Sequence, residues 1–170
     1  SDVAHGTSPL LTAFRNAFTG LDDLGPRTQY RTAVVLQATS RGYNFVGNVL
    51  GTDSVQTTYA GGADLYIYWL GAGVMGGPGF DAIVESSLLR WGNYDTVNDA
   101  TKFDSAEIPT VGIHYINGNA VPSNTSLPVS FYLSARPTIW NTPWGQPGWP
   151  PIGPDVSGGT VPGVGGHVTK

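Results

Sequence analysis

Apolar residues in this chain fall in short runs broken by Gly, Asn and Asp, with little helical spacing. The exception is Asp81 to Leu89, where Ile83, Val84, Leu88 and Leu89 share a helical face after the breaker run Gly76-Gly77-Pro78-Gly79, predicting a turn or two of helix. Elsewhere the runs are rich in Val, Thr, Tyr and Phe and predict short strands, hence an all-β chain. One phrase recurs: an apolar residue, a small or polar residue, Asn, then apolar residues and often Gly. It stands as Phe14-Arg15-Asn16-Ala17-Phe18-Thr19-Gly20 and as Phe45-Val46-Gly47-Asn48-Val49-Leu50-Gly51. A looser copy is Leu89-Arg90-Trp91-Gly92-Asn93-Tyr94-Asp95, and Tyr115-Ile116-Asn117-Gly118-Asn119 is a vestige. Tyr66-Ile67-Tyr68-Trp69-Leu70-Gly71 keeps the apolar-then-Gly ending without the Asn.

The aligned asparagines are unequally spaced, so loops of varied length separate the units, and the spacing is not that of hairpins. Asn tolerates left-handed backbone, which suits it to a bend, and stacked Asn side chains can bond to neighbouring backbone and to one another. Asn16, Asn48 and Asn93 are therefore expected as structural residues at the bends of a solenoid. A β-sandwich with ordinary turn asparagines fits the same pattern.

From Pro109 the texture changes. Val111 to Tyr115 and Val129 to Leu133 still predict strands. After Arg136 the density of proline forbids a regular ladder. The chain divides accordingly into a strand-rich part, 1–136, and a Pro/Trp/Gly-rich tail, 137–170, expected to lay its indoles on the body or cap it. Gly (24) and Pro (13) exceed a fifth of the 170 residues, against about 12% in an average chain. A net charge of −4 without a basic cluster excludes a nucleic-acid partner. No apolar run approaches the ~18 residues of a membrane span. Without cysteine there is no disulfide, thiolate metal site or Cys nucleophile. The Ser1 start, without an initiator Met, reads as a piece of something longer.

Several long phrases carry a resemblance: Asp2-Val3-Ala4-His5-Gly6-Thr7, Thr12-Ala13-Phe14-Arg15-Asn16, Asn44 to Gly51, Leu89 to Asp95, Leu127 to Leu133, and Trp149-Pro150-Pro151-Ile152-Gly153-Pro154-Asp155-Val156. Together they resemble the C-terminal part of bacterial right-handed parallel β-helix proteins of pectate-lyase-like fold. The resemblance implies a right-handed parallel β-helix segment with an irregular tail, located outside the cell or at its surface. It further implies more coils on the N-terminal side. An open coil at the Ser1 end would expose unpaired backbone, so either those coils or another chain is expected to stack on it, in the second case building a filament.

Enzymes of that fold cleave acidic polysaccharides, the lyases with Ca²⁺ and an Arg or Lys base, the hydrolases with paired carboxylates. Here the carboxylates are scattered in turn-rich contexts, so Ca²⁺ is expected only if the chain is a lyase, and no other cofactor is. The polar set Asp2, His5 and Arg15 is the one catalytic candidate, with Arg15 equally suited to capping a turn. His114 reads as a core residue, and His167 has no companion ligand for a metal. Trp140, Trp144 and Trp149 are candidate platforms for sugar rings, or covers for the solenoid end. Asn124-Thr125-Ser126 fits a glycosylation acceptor. The expected role is a structural or glycan-contacting module. The alternatives are a polysaccharide lyase or hydrolase whose cleft lies outside this chain, and a phage or surface adhesin.

Overall fold

A computed structural model describes residues 9–21, 28–73, 75–111, 122–138 and 149–156. Ten short strands account for most of the regular structure: β1 Thr12–Phe14, β2 Ala17–Phe18, β3 Val34–Gln37, β4 Asn44–Val46, β5 Val49–Leu50, β6 Thr58–Ala60, β7 Tyr66–Ala72, β8 Leu89–Trp91, β9 Asn93–Asp95 and β10 Ala100–Lys102. Helix among the described residues is confined to α1, Ile83–Ser86, and the 3₁₀ turn Ser105–Glu107. The fold is all-β. In α1, Val84 is buried and the following Leu88 seals its end, while Ile83 faces out. No helix among the described residues is long and apolar enough to cross a membrane.

The strands form three sheets, ordered β1-β4-β8, β10-β9-β5-β2 and β3-β7-β6. Among the described residues every pairing is parallel except β9 with β10. That exception is a hairpin, contrary to the expectation of none. Its turn is built by Asp95, whose carboxylate accepts the backbone N–H groups of Val97 and Asn98 at 3.1 and 2.8 Å. Val129 to Leu133 also departs from expectation. The Ser130 hydroxyl accepts the backbone N–H groups of Tyr132 and Leu133, each at 3.1 Å, and this local bonding replaces a strand ladder. Val111 is described and lies outside any strand, whereas residues 112–115 lie outside the described residues, as does the Tyr115 to Asn119 vestige.

Alternation along the strands decides which side chains enter the core. In β1-β4-β8 the register aligns Ala13, Phe45 and Arg90, all buried. In β2-β5-β9 it aligns Phe18, Leu50 and Asp95. Around Phe45 and Leu50 pack Val34, Leu36, Tyr43, Ile67, Tyr68, Leu70, Val84 and Leu88. The inward positions are thus apolar in the first two passes of the chain and charged in the third.

Each pass turns between its first two strands at a left-handed residue: Arg15 (φ 55°), Gly47 (φ 63°) and Gly92 (φ 63°). The asparagines are not the left-handed residues, which corrects the reason given above for placing them at the bends. A side chain at Gly92 would meet the Phe103 ring at 2.6 Å, so the bend needs glycine for space as well as for φ.

Candidate functional site

Asn16, Asn48 and Asn93 follow these bends in register, and their carboxamides link the passes. The Asn48 Oδ1 accepts the Asn16 backbone N–H at 2.9 Å, and the Asn93 Oδ1 accepts the Asn48 N–H at 2.9 Å. Each amide nitrogen donates backward too: Asn48 Nδ2 to the Ala13 carbonyl at 3.0 Å, Asn93 Nδ2 to that of Phe45 at 2.8 Å. The Asn48 and Asn93 carboxamides therefore reach back to the preceding pass, and Asn48 Nδ2 also donates forward to Asn93 Oδ1 at 2.9 Å. Asn16 has no preceding pass among the described residues. Its Nδ2 turns back to the Phe14 carbonyl at 3.2 Å and lies 3.5 Å from Asn48 Oδ1, and its Oδ1 has no donor among the described residues.

Inward placement of Ala13, Phe45 and Arg90 leaves Thr12, Phe14, Asn44, Val46 and Leu89 on the outer face of the same sheet. Residues 130–132 cross above them, with the Phe131 ring 4.0 Å from that of Phe14. The space between is a groove of about 570 Å³. Its lining is aromatic (Phe14, Phe131, Tyr132), aliphatic (Val46, Leu89) and polar but uncharged (Thr12, Asn16, Asn44, Ser130).

Arg15 holds the crossing segment in place. Its guanidinium donates to both Asp155 carboxylate oxygens, at 2.6 and 2.8 Å, and to the carbonyls of Pro128 (2.8 Å) and Ile152 (3.2 Å). The planar fork suits this bidentate contact. The hydrogen bond from Arg15 holds the Asp155 carboxyl below its ordinary value, against partial burial. Stability from this pair is present above the unfolded carboxyl value of 3.8 and is lost as pH falls through the lower folded one. Arg15→Lys keeps the charge but loses the fork. It is expected to cost on the order of 2 kcal/mol and to speed amide exchange in residues 149–156, with Asp155→Asn giving the same local loosening. Unchanged exchange in both variants would count against the clasp.

Other carboxylates are similarly occupied. Asp64 accepts the Arg31 backbone N–H at 2.6 Å, and this bond with the Arg31 side chain lowers its pKa. Burial acts to raise the Asp81 pKa, but hydrogen bonds from Arg41, Thr39 and Ile83 outweigh it and the net shift is downward. Glu107 is buried against Arg90, Nε to Oε2 2.8 Å, and accepts the Tyr59 hydroxyl at 2.6 Å. Lys102 Nζ lies 3.9 Å from Glu107 and 3.5 Å from the Tyr59 ring centre. Burial, above all, raises the Tyr59 and Tyr68 phenols, and a hydrogen bond to Asp99 pushes Tyr94 up to about 12. Gln56 supplies another link, its Nε2 reaching the carbonyls of Thr19 and Arg31 at 3.1 and 2.7 Å.

Of the catalytic candidates only Arg15 is described, and its nitrogens are committed as above; Asp2 and His5 lie outside the described residues. So do His114, His167, Trp140 and Trp144, while Trp149 is half-buried. Asn124 is exposed, its Oδ1 accepting the Ser126 N–H at 2.8 Å and its carbonyl accepting Trp91 Nε1 at 3.3 Å. Among the described residues no group of three or more His, Cys, Asp or Glu side chains is placed to hold a metal. The sequence pattern did not single out Phe14, Phe131, Tyr132 or Asn44, which line this groove. The strand alternation that puts Ala13 and Phe45 inside was the available signal for Phe14 and Asn44. Comparison with protein-family models, curated proteins and solved structures finds no match to the chain.

Proposed function

We propose that the chain is a structural, glycan-contacting module of an extracellular right-handed parallel β-helix, stacked at its first coil on further coils or on another chain. The observation that carries this reading is the difference between the two ends of the strand stack. At the third pass the inward positions are Arg90 and Asp95, and β10 and Glu107 close over them. At the first pass the inward positions are Ala13 and Phe18, one edge of each of the three sheets is β1, β2 or β3, and no preceding pass meets the Asn16 carboxamide among the described residues. A solenoid closes where its interior turns polar and continues where it stays apolar. The resemblance supplies the extracellular setting, and the uncharged groove supplies the glycan contact.

Light scattering on the isolated chain tests the stacking. Association should increase with concentration and vanish in Leu11→Lys/Leu21→Lys, two first-pass residues 46% and 43% exposed and therefore replaceable without disturbing the core. A monomer at all concentrations, with slow amide exchange throughout β1 to β3, would show a first pass that needs no neighbour.

A further inference from the structure

We propose that the groove over β1, β4 and β8 binds a chain of neutral pyranose sugars and rejects uronates. This deepens, and rests on, the glycan-contacting reading. Three features define the occupant. The first is aromatic surface: Tyr132 is 94% and Phe131 51% exposed at the rim, beside Phe14. Phe131 and Phe14 lie against each other, so the open aromatic surface is chiefly that of Tyr132, suited to the C–H face of a pyranose.

The second is the polar lining. Asn44 Nδ2 donates to Thr12 Oγ1 at 3.2 Å, fixing the carboxamide, and the Asn44 Oδ1 has no hydrogen-bond donor among the described residues. A pre-oriented acceptor beside the aromatic rim matches a sugar hydroxyl. The third is charge: among the described residues no ionisable carboxylate, guanidinium or ammonium lines the groove. The neighbouring cation, Arg15, has its guanidinium committed to Asp155 and to backbone carbonyls. A uronate carboxylate entering here would lose hydration without gaining a counter-charge, whereas a neutral sugar loses nothing of that kind. The volume, about 570 Å³, lies within the ~300–1,000 Å³ of ordinary ligand sites.

Affinity electrophoresis and titration calorimetry on the full chain test this, using cello-, xylo- and malto-hexaose with their parent polysaccharides against oligogalacturonate and oligoguluronate. At least one neutral series should bind. Tyr132→Ala, at an exposed position, should weaken it about tenfold or more, and Asn44→Ala should weaken it at unchanged thermal midpoint. Preference for a uronate would overturn the neutral assignment and leave the glycan reading standing. No binding by either class would overturn both. Neutral binding unaffected by Tyr132→Ala and Phe131→Ala would place the glycan elsewhere and overturn the groove.

Discussion

Replacing Asn48 with alanine is expected to lower the unfolding free energy by about 3 kcal/mol, and Asn93→Ala by a similar amount, while Asn16→Ala costs less than about 1 kcal/mol. Asn48 is fully buried, and its side chain satisfies the Asn16 N–H and the Ala13 carbonyl. Truncation leaves both without a partner, and desolvating an unbonded backbone group costs about 1–3 kcal/mol. Asn93 serves the Asn48 N–H and the Phe45 carbonyl in the same way. Asn16 is exposed, and its amide serves mainly its own pass. Asn48→Asp should cost more than Asn48→Ala, because it turns a carboxylate oxygen toward the Ala13 carbonyl and the Asn93 Oδ1 that now accept from Nδ2. Urea unfolding of the set measures the gradient. Asn48→Gly separates two causes, since a bend residue chosen for left-handed backbone would tolerate glycine and a bonded carboxamide would not. Equal losses at all three positions, or a neutral Asn48→Gly, would refute the ladder.

The asparagines were legible because each sits in a copied phrase, and a copied phrase at a bend brings its residues into register. The reason for them was not, because the left-handed position is one residue earlier, and Arg15 occupies it in one copy where glycine does in the other two. Arg15 drew attention in a polar set with Asp2 and His5 or as a turn cap, since its acceptor, Asp155, is 140 residues away along the chain. No local pattern announces a contact of that separation. Aligning the copies would have exposed Arg90, which stands three residues before its Asn, where Phe45 and Ala13 stand in theirs. An arginine at a core position demands a buried acid, though nothing in the sequence singles out Glu107 from the other carboxylates. The β9–β10 hairpin was missed because its turn has no glycine and relies on Asp95 accepting backbone N–H groups. The groove was half legible: strand alternation marks Phe14 and Asn44 as outward, but the wall containing Phe131 and Tyr132 reads as a strand by composition and is a turn in fact.

Glu107→Ala should destabilise the chain by about 3–5 kcal/mol, whereas the double replacement Arg90→Met/Glu107→Leu should lie within about 1–2 kcal/mol of the parent. Both partners are nearly inaccessible, 9% and 4% exposed as side chains, so removing the acid strands a guanidinium at the inward position continuous with Phe45. The Ala106 carbonyl, 3.2 Å from Nη2, and the faces of Tyr59 and Tyr68, each 5.5 Å from the guanidinium carbon, cannot replace the lost charge. An apolar pair removes the demand instead of leaving it unmet, and Met over Phe45 extends the apolar stack. Such a chain would lose the polar closure of its third pass, so on the reading proposed here it should associate at that end, which light scattering detects. The same cluster sets the alkaline limit. Burial keeps the Tyr59 and Tyr68 phenols neutral in the fold, so their contribution is complete below the unfolded value of 10.0 and is lost as pH rises above it. Absorbance at the phenolate band should then show these two tyrosines ionising only together with unfolding, and Glu107→Ala should move that step to lower pH by weakening the fold around them. Early, non-cooperative ionisation of every tyrosine in the parent chain would mean that the cluster is open to water and that Arg90 needs no buried partner.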